Sequence, residues 1–327
     1  MSVKLTTLGI LIYAVMALYL AAGAALASRR RAALAALAVL GLADAAAAVI
    51  LRALAAARPE FMPRYEVALA CGIIIYAALA LALAAGAVLK REGPAGTVLF
   101  AAGFAAAAAA FVVRWDQAGH APLQNMFEVF LCLGMLMGPI TLFCRRFLGV
   151  RLEGADALIG VIILFPAGFV FKAEPQRLPP ALQSFLFVPH VAAYMLSYVV
   201  LAKAAVLAFL GLFRDRPGAD PGALDYAASA DRVARLGFPL LTLGLVLGMW
   251  WGKIAWGDYW NWDPKELWSL VSWLAYVGYF HFRYMFGQKH RRANCAWLVA
   301  GLVAIAITLL WVNLARLFAG GLHSYAT

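Results

Sequence analysis

A chain of 327 residues that is 65% hydrophobic and 13% charged, with a mean hydropathy of +0.84, cannot clothe a soluble domain of its size in polar side chains. Basic residues outnumber acidic ones by 27 to 16, which in so apolar a chain points to anchoring on anionic lipid and not to nucleic acid. The four cysteines, at 71, 132, 144 and 295, form no CxxC pair and no CxxCH haem-attachment site and read as small buried hydrophobes.

Apolar runs of about 20 residues separated by short charged clusters predict an all-α polytopic membrane bundle. Ten spans are expected, near 6–28, 33–54, 66–89, 95–113, 125–143, 156–171, 185–211, 236–251, 267–286 and 294–316. The first is expected to be retained: Arg29, Arg30 and Arg31 follow its apolar run, whereas a removable signal peptide has its charges in front. The second contains Asp44, and the sixth is short, with Asp156 at its edge and Pro166 near its middle. A proline there is tolerated when neighbouring helices cover the freed carbonyl.

Every second connection carries a basic cluster: Arg29–Arg31, Lys90–Arg91, Arg145 to Arg151, Arg214 to Arg235, and Lys289 to Arg292. The positive-inside rule puts these in the cytoplasm, which places both termini and the loops near 55–65, 114–124, 172–184 and 252–266 outside. The longest connection, roughly 212–235, reads as a cytoplasmic connector with Pro217, Gly218, Pro221 and Gly222. Several basic residues nevertheless fall at the outer side, among them Arg114, Lys253, Lys265 and Arg316. They read either as snorkelling helix ends or as a group able to hold the carboxylates of an anionic ligand.

The outer connection before the ninth span holds the most unusual string in the chain. Six of the ten tryptophans lie within residues 250–268 (Trp250, Trp251, Trp256, Trp260, Trp262 and Trp268), together with Tyr259. Interfacial anchoring accounts for one or two aromatics per helix end, not for this density. Gly252 and Gly257 let the backbone turn and approach closely. Asp263, Pro264 and Glu266 spell an N-cap, a proline at the first helical position and a capping-box partner, so a helix is predicted to start at Asp263 with its positive dipole end toward the indoles. Flat indoles beside Lys253 and Lys265 suit a large planar ligand with acidic arms. A porphyrin, a quinone and a lipid headgroup all meet that description.

Of the five histidines, His190 opens the seventh span and His323 lies in the outer tail, both on the side of the aromatic string. They read either as two imidazoles on opposite faces of a porphyrin iron or as independent interfacial residues. His281 lies about 27 Å along the ninth span from its cap, deep enough to be a functional candidate, or else a structural hydrogen-bonding residue. Gly278, three residues before it, is expected to leave room for a ring or a flat ligand. His120 sits in a polar outer loop with Asn125 and Glu128, where Glu128 could orient it; neither is assigned to iron. His290, between Lys289 and Arg291, reads as cytoplasmic surface.

The run Trp251-Gly252-x-x-x-Trp256-x-x-x-Trp260-x-Trp262-Asp263-x-Lys265-Glu266 resembles the tryptophan-rich WWD signature of haem-handling proteins of cytochrome c maturation. The likeness extends to the stretches around His120–Glu128, His190–Tyr198 and Gly321–Ser324, and it is strongest to the CcsA-type (ResC) subunits of System II cytochrome c synthases. It covers about residues 65–325, leaving 1–64 as two N-terminal spans and an outer loop; Phe127 stands where the family often has Tyr. The resemblance implies that His190 and His323 are the outer axial ligands of haem b held against Trp250–Trp268, and that His281 is an intramembrane haem ligand. It further implies a CcsB/ResB-type membrane subunit as partner, a thiol-reducing pathway, and an apocytochrome c CxxCH polypeptide as substrate, at the outer face of the bacterial cytoplasmic membrane. A CcmC-like haem exporter, a non-catalytic structural subunit and a quinone-binding protein are the competing expectations.

Overall fold

The computed structural model describes residues 94–171, 174–214, 224–312 and 323. The three spans expected before residue 90, Arg316 and the rest of the C-terminal tail lie outside them. The regular structure among the described residues is helical: α1 (Pro94–Ala118), α2 (Met126–Phe147), α3 (Glu153–Phe169), α4 (Phe187–Arg214), α5 (Tyr226–Trp256), α6 (Pro264–Phe286) and α7 (Arg291–Ala306), which continues as a π-helical turn, Ile307–Trp311. Among the described residues, four helices are long and apolar enough to cross a membrane: α2, α4, α5, and α7 with its π turn. The protein is an all-α, membrane-embedded helical protein.

Sequence chemistry sets the helix ends. Asn125 caps α2 by accepting the Glu128 N–H at 3.0 Å, and Glu128 returns the bond by accepting the Gln124 N–H at 2.8 Å. Asp225 caps α5 through the Ala228 N–H at 2.9 Å. This shortens the connector expected over 212–235: helix persists to Arg214 and resumes at Tyr226, because nothing between Asp225 and Arg235 breaks it. At its other end α5 overruns the expected boundary of residue 251 and stops only at Gly257, in the left-handed region at φ 91°. Trp256 therefore lies, with Trp250 and Trp251, on the last turns of a helix and not in the outer loop expected over 252–266. Gly252 is helical as well; it permits the Asp258 carbonyl to approach, 3.3 Å from where a Cβ would stand.

Contacts divide the chain into two compact units. In the first, α1 and α3 join the middle of α2, Phe130–Thr141. Gly134 admits the Leu164 side chain and Gly138 the Phe104 ring, while Thr141 Oγ1 donates to Asp156 Oδ2 at 2.9 Å, giving that intramembrane carboxylate an internal partner.

The second unit contains both ends of α2 and everything from residue 176 onward. Its core is the α4–α5 seam. Val199, Val200, Leu201, Ala204, Ala205, Leu207 and Ala208 are fully buried, and Gly237 lets Leu201 and Val200 into the facing helix while its carbonyl accepts Ser197 Oγ at 3.0 Å. Helix α6 returns antiparallel to α5, held at one end by Tyr279 Oη donating to Asp231 at 2.8 Å, with Arg283 and Arg235 on the same carboxylate. Along the pair, Trp273 Nε1 donates to Thr242 Oγ1 at 3.0 Å. The π turn after α7 brings Thr308 Oγ1 to Ser272 Oγ at 2.9 Å and to the Trp268 carbonyl at 3.0 Å. Together these contacts fix the start of α6, the end of α5 and the start of α4 around one cavity.

Candidate functional site: an aromatic cavity with two histidines

The cavity lies wholly within the second unit and opens through a wide mouth, with about 990 Å³ of space between its walls once the open solvent at the mouth is included. His190, Trp251, Trp256, Trp260, Lys265 and His323 line it, with Tyr194 and Tyr198 continuing inward along α4.

His190 sits in the first turn of α4, and its Nδ1 lies 2.9 Å from the Gly244 carbonyl of α5. His323 Nδ1 lies 2.9 Å from Asp263 Oδ2. Both partners can only accept, so in each neutral ring the proton is on Nδ1 and the lone pair on Nε2. A carbonyl or carboxylate behind the distal nitrogen is the arrangement that orients a metal-binding imidazole. Burial pushes the His323 pKa below the ordinary imidazole value of 6.5; the hydrogen bond to Asp263 opposes the shift and the nearby Lys265 charge adds to it. The ring is therefore neutral at pH 7.

Trp251 joins the two histidines. Its indole is buried, its Nε1 donates to the Ala181 carbonyl at 3.0 Å, and its ring lies nearly parallel to His190, at 26° and 5.6 Å. The same indole meets His323 at 5.8 Å, and Trp256 meets His323 edge-on at 4.7 Å. Trp260 adds a buried indole N–H with no acceptor among the described residues, and Tyr259 lies at the rim.

The remaining members of the string do other things. Trp250 is half exposed against Phe185, and Trp262 is 70% exposed at a positive φ of 58°, with its ring edge against Trp260. Trp268 contributes its carbonyl to Ser272 and Thr308. None of the three lines the cavity.

Asp263 is more than the predicted cap. It completes the capping box with Glu266, accepts the Lys265 N–H at 3.1 Å, and takes the His323 imidazole on the same carboxylate oxygen. Sequence reasoning found its helix-capping role and missed the second, because 60 residues separate it from His323.

Two of the basic candidates are otherwise engaged. Lys253 Nζ closes the end of α5 on the Gly257 carbonyl and lies over the Tyr259 ring. Arg114 belongs to the first unit, where it is buried and donates to the Glu174 carbonyl at 3.3 Å. Lys265 is the basic residue on the cavity wall.

His120 lies between two backbone carbonyls, with Nδ1 2.9 Å from Ala121 and Nε2 3.1 Å from Gln176, and the neutral ring donates to one of the two. His281 is exposed on α6, its Nδ1 2.8 Å from the Val277 carbonyl one turn back. The room expected beside it at Gly278 is filled: a Cβ there would stand 2.7 Å from the Trp297 ring, whose Nε1 donates to Ala275. That glycine serves helix packing and not a ligand.

The fold and the cavity agree with comparisons to known proteins. The family profile described as cytochrome C assembly protein matches residues 123–319, which contain every cavity-lining residue except the tail histidine. The cytochrome c biogenesis protein CcsA of Prochlorococcus marinus (strain MIT 9313) is 31% identical over 299 residues, covering 79% of this chain and 93% of that one. Those of Guillardia theta and Chlamydomonas reinhardtii are 34% and 33% identical; this chain covers 79% and 63% of their lengths and is itself covered to 65% by each. The solved structure of the cytochrome c haem lyase CcmF shares the fold, with a TM-score of 0.54 at 21% identity over 71% of this chain and 44% of that one. The chain belongs to the cytochrome c assembly protein family, as a member of the CcsA/ResC type. Its role lies in cytochrome c biogenesis.

Proposed function

We propose that this protein receives haem b and presents it at the outer face of the membrane for covalent attachment to the CxxCH site of an apocytochrome c. The observation that carries this reading is the shared cavity of His190 and His323, each with Nδ1 set on an acceptor, which in the neutral ring puts the lone pair on Nε2, the nitrogen that would bind iron. Trp251, Trp256 and Trp260 supply flat apolar walls. Lys265 and the buried Trp260 N–H are suited to an acidic arm of the porphyrin, and the unpartnered indole donor is what a carboxylate oxygen would satisfy.

The attachment itself adds each cysteine S–H across a vinyl C=C. Sulfur bonds to one carbon, the proton goes to the other, and no electrons are gained or lost overall. Placement is the protein's contribution: an iron fixed on its axis and a vinyl edge left to the peptide convert a bimolecular addition into an oriented one. His281 receives haem within the membrane beside a CcsB/ResB-type subunit, and a thiol-reducing pathway keeps the peptide cysteines competent. Ten spans, with both termini and the cavity outside, complete the topology, residues 65–325 forming the haem-handling portion behind two N-terminal spans.

Reconstitution in cells without their own maturation system, with the CcsB/ResB-type partner, tests the reading. Covalent cytochrome c is expected with the wild type and only background with the His190→Ala/His323→Ala double variant. Equal haem content, spectrum and product in the two would sink the ligand assignment.

A further inference from the structure

We infer that Gly248 is a positioning residue that fixes the plane and reach of the His190 imidazole, an inference that rests on His190 being an iron ligand. Three residues on one face of α5, at i, i+4 and i+7, grip this ring: the Gly244 carbonyl takes its Nδ1–H, the Trp251 indole lies nearly parallel to it, and Gly248 stands against its edge. A Cβ at Gly248 would lie 2.6 Å from His190 Cε1 and 3.0 Å from Nδ1, and its three nearest neighbours would all be atoms of this ring.

The backbone does not ask for glycine here. Gly248 is helical and is not among the residues with positive φ, so alanine would suit the helix better. Contact with the imidazole is what the missing side chain serves. One hydrogen bond leaves a ring free to swing about the bond axis. The wall at Cε1, the carbon between the two nitrogens, removes that freedom and fixes the direction of Nε2. Tyr194, one turn along α4, adds an edge-on ring contact at 5.2 Å.

An alanine methyl needs roughly 1 Å more than the slot provides to reach ordinary carbon contact. A displacement of that size at a reacting or ligating atom costs on the order of 10²-fold. Gly237 is the internal control. It lies on the same helix and the same seam, and a Cβ there would meet Leu201 at an equal 2.6 Å, with no atom of His190 among its three nearest neighbours.

The test compares wild type, Gly248→Ala and Gly237→Ala, each full length and purified with the membrane partner. The first readout is the absorption and electron paramagnetic resonance signature of low-spin bis-imidazole haem. The second, on haem-free protein, is the rate at which diethyl pyrocarbonate labels His190, followed by mass spectrometry. Gly248→Ala should lose about 10²-fold in outer-site haem affinity, shift the low-spin signature and label His190 faster. Gly237→Ala should match wild type in both readouts.

A Gly248→Ala protein indistinguishable from wild type, or a Gly237→Ala protein showing the same changes, overturns the inference. If wild type holds no haem, the proposed function fails, yet the labelling comparison still decides whether Gly248 seats His190. Should Gly248→Ala not accumulate, adding His190→Ala must restore accumulation, because the clash is with that ring; no restoration overturns the inference equally.

Discussion

His190 and His281 share one local device, an Nδ1 set on a backbone carbonyl, and differ in everything around it. His190 reaches across to a carbonyl of another helix, is walled by Trp251 and Tyr194, and opens on a cavity that also holds His323. His281 uses the carbonyl of its own preceding turn and stands exposed, on a face where Leu267, Val271, Leu274 and Met285 are exposed too. Orientation by a carbonyl is therefore not enough to make a site. A second wall and a second imidazole mark the surroundings of His190, and this chain supplies both. On the proposed reading, His281 takes its counterparts from the partner subunit.

The largest effect that would sharpen this contrast is on partner dependence. With the CcsB/ResB-type subunit present, His281→Ala should reduce haem at the outer cavity and covalent cytochrome c to background. Haem added directly to the purified variant should still give the outer-site spectrum, because His281 is not among the described residues that line the cavity. Wild-type maturation by His281→Ala would erase the distinction between a complete and an incomplete site.

Next in size is Asp263, which separates capping from ligand orientation. Asn is as good a helix cap as Asp, but it offers His323 a neutral amide oxygen in place of a carboxylate. Asp263→Asn should weaken outer-site haem binding by about 10–100-fold while thermal stability stays near wild type. Asp263→Ala should show the same haem loss plus about 1 kcal/mol of destabilisation from the lost cap. Haem titration and melting curves on the two variants decide it, and equal melting with equal haem affinity in all three proteins would remove Asp263 from the site.

How much of this was readable in the chain follows from which interactions are local. The capping box at Asp263, Pro264 and Glu266 depends on neighbours within a few residues, and it is formed. Topology alone put His190 and His323 on the same side as the tryptophans, and both line the cavity. The split of the tryptophan string into cavity walls (Trp251, Trp256, Trp260) and outward residues (Trp250, Trp262) was not readable. It depends on α5 running helically to Trp256, which rotates successive indoles by about 100° each, and a loop reading has no such phase. Gly278 illustrates the same limit. A glycine near a histidine says that something approaches closely, but not that the occupant is Trp297.

The smallest expected effect is on pH, and its sign discriminates best. Burial holds the His323 pKa below the ordinary value of 6.5, so above that value the ring is neutral whether seated or released, and its contribution is fully present. As pH falls below 6.5 a released tail takes up a proton that the seated ring refuses, and the contribution is lost as pH passes through the depressed value. Asp263 works against the depression, raising the pKa through its hydrogen bond and charge. Asp263→Asn should therefore bind haem more weakly at pH 7 and lose a larger share of it as pH falls below 6.5, because its seated ring refuses the proton down to a lower pH while the released tail still takes it up. Haem retention followed spectroscopically from pH 8 downward reads both quantities at once. An acid loss no larger in the Asn variant than in wild type would mean that Asp263 does not govern the proton on His323, and that its part in the site is helix capping alone.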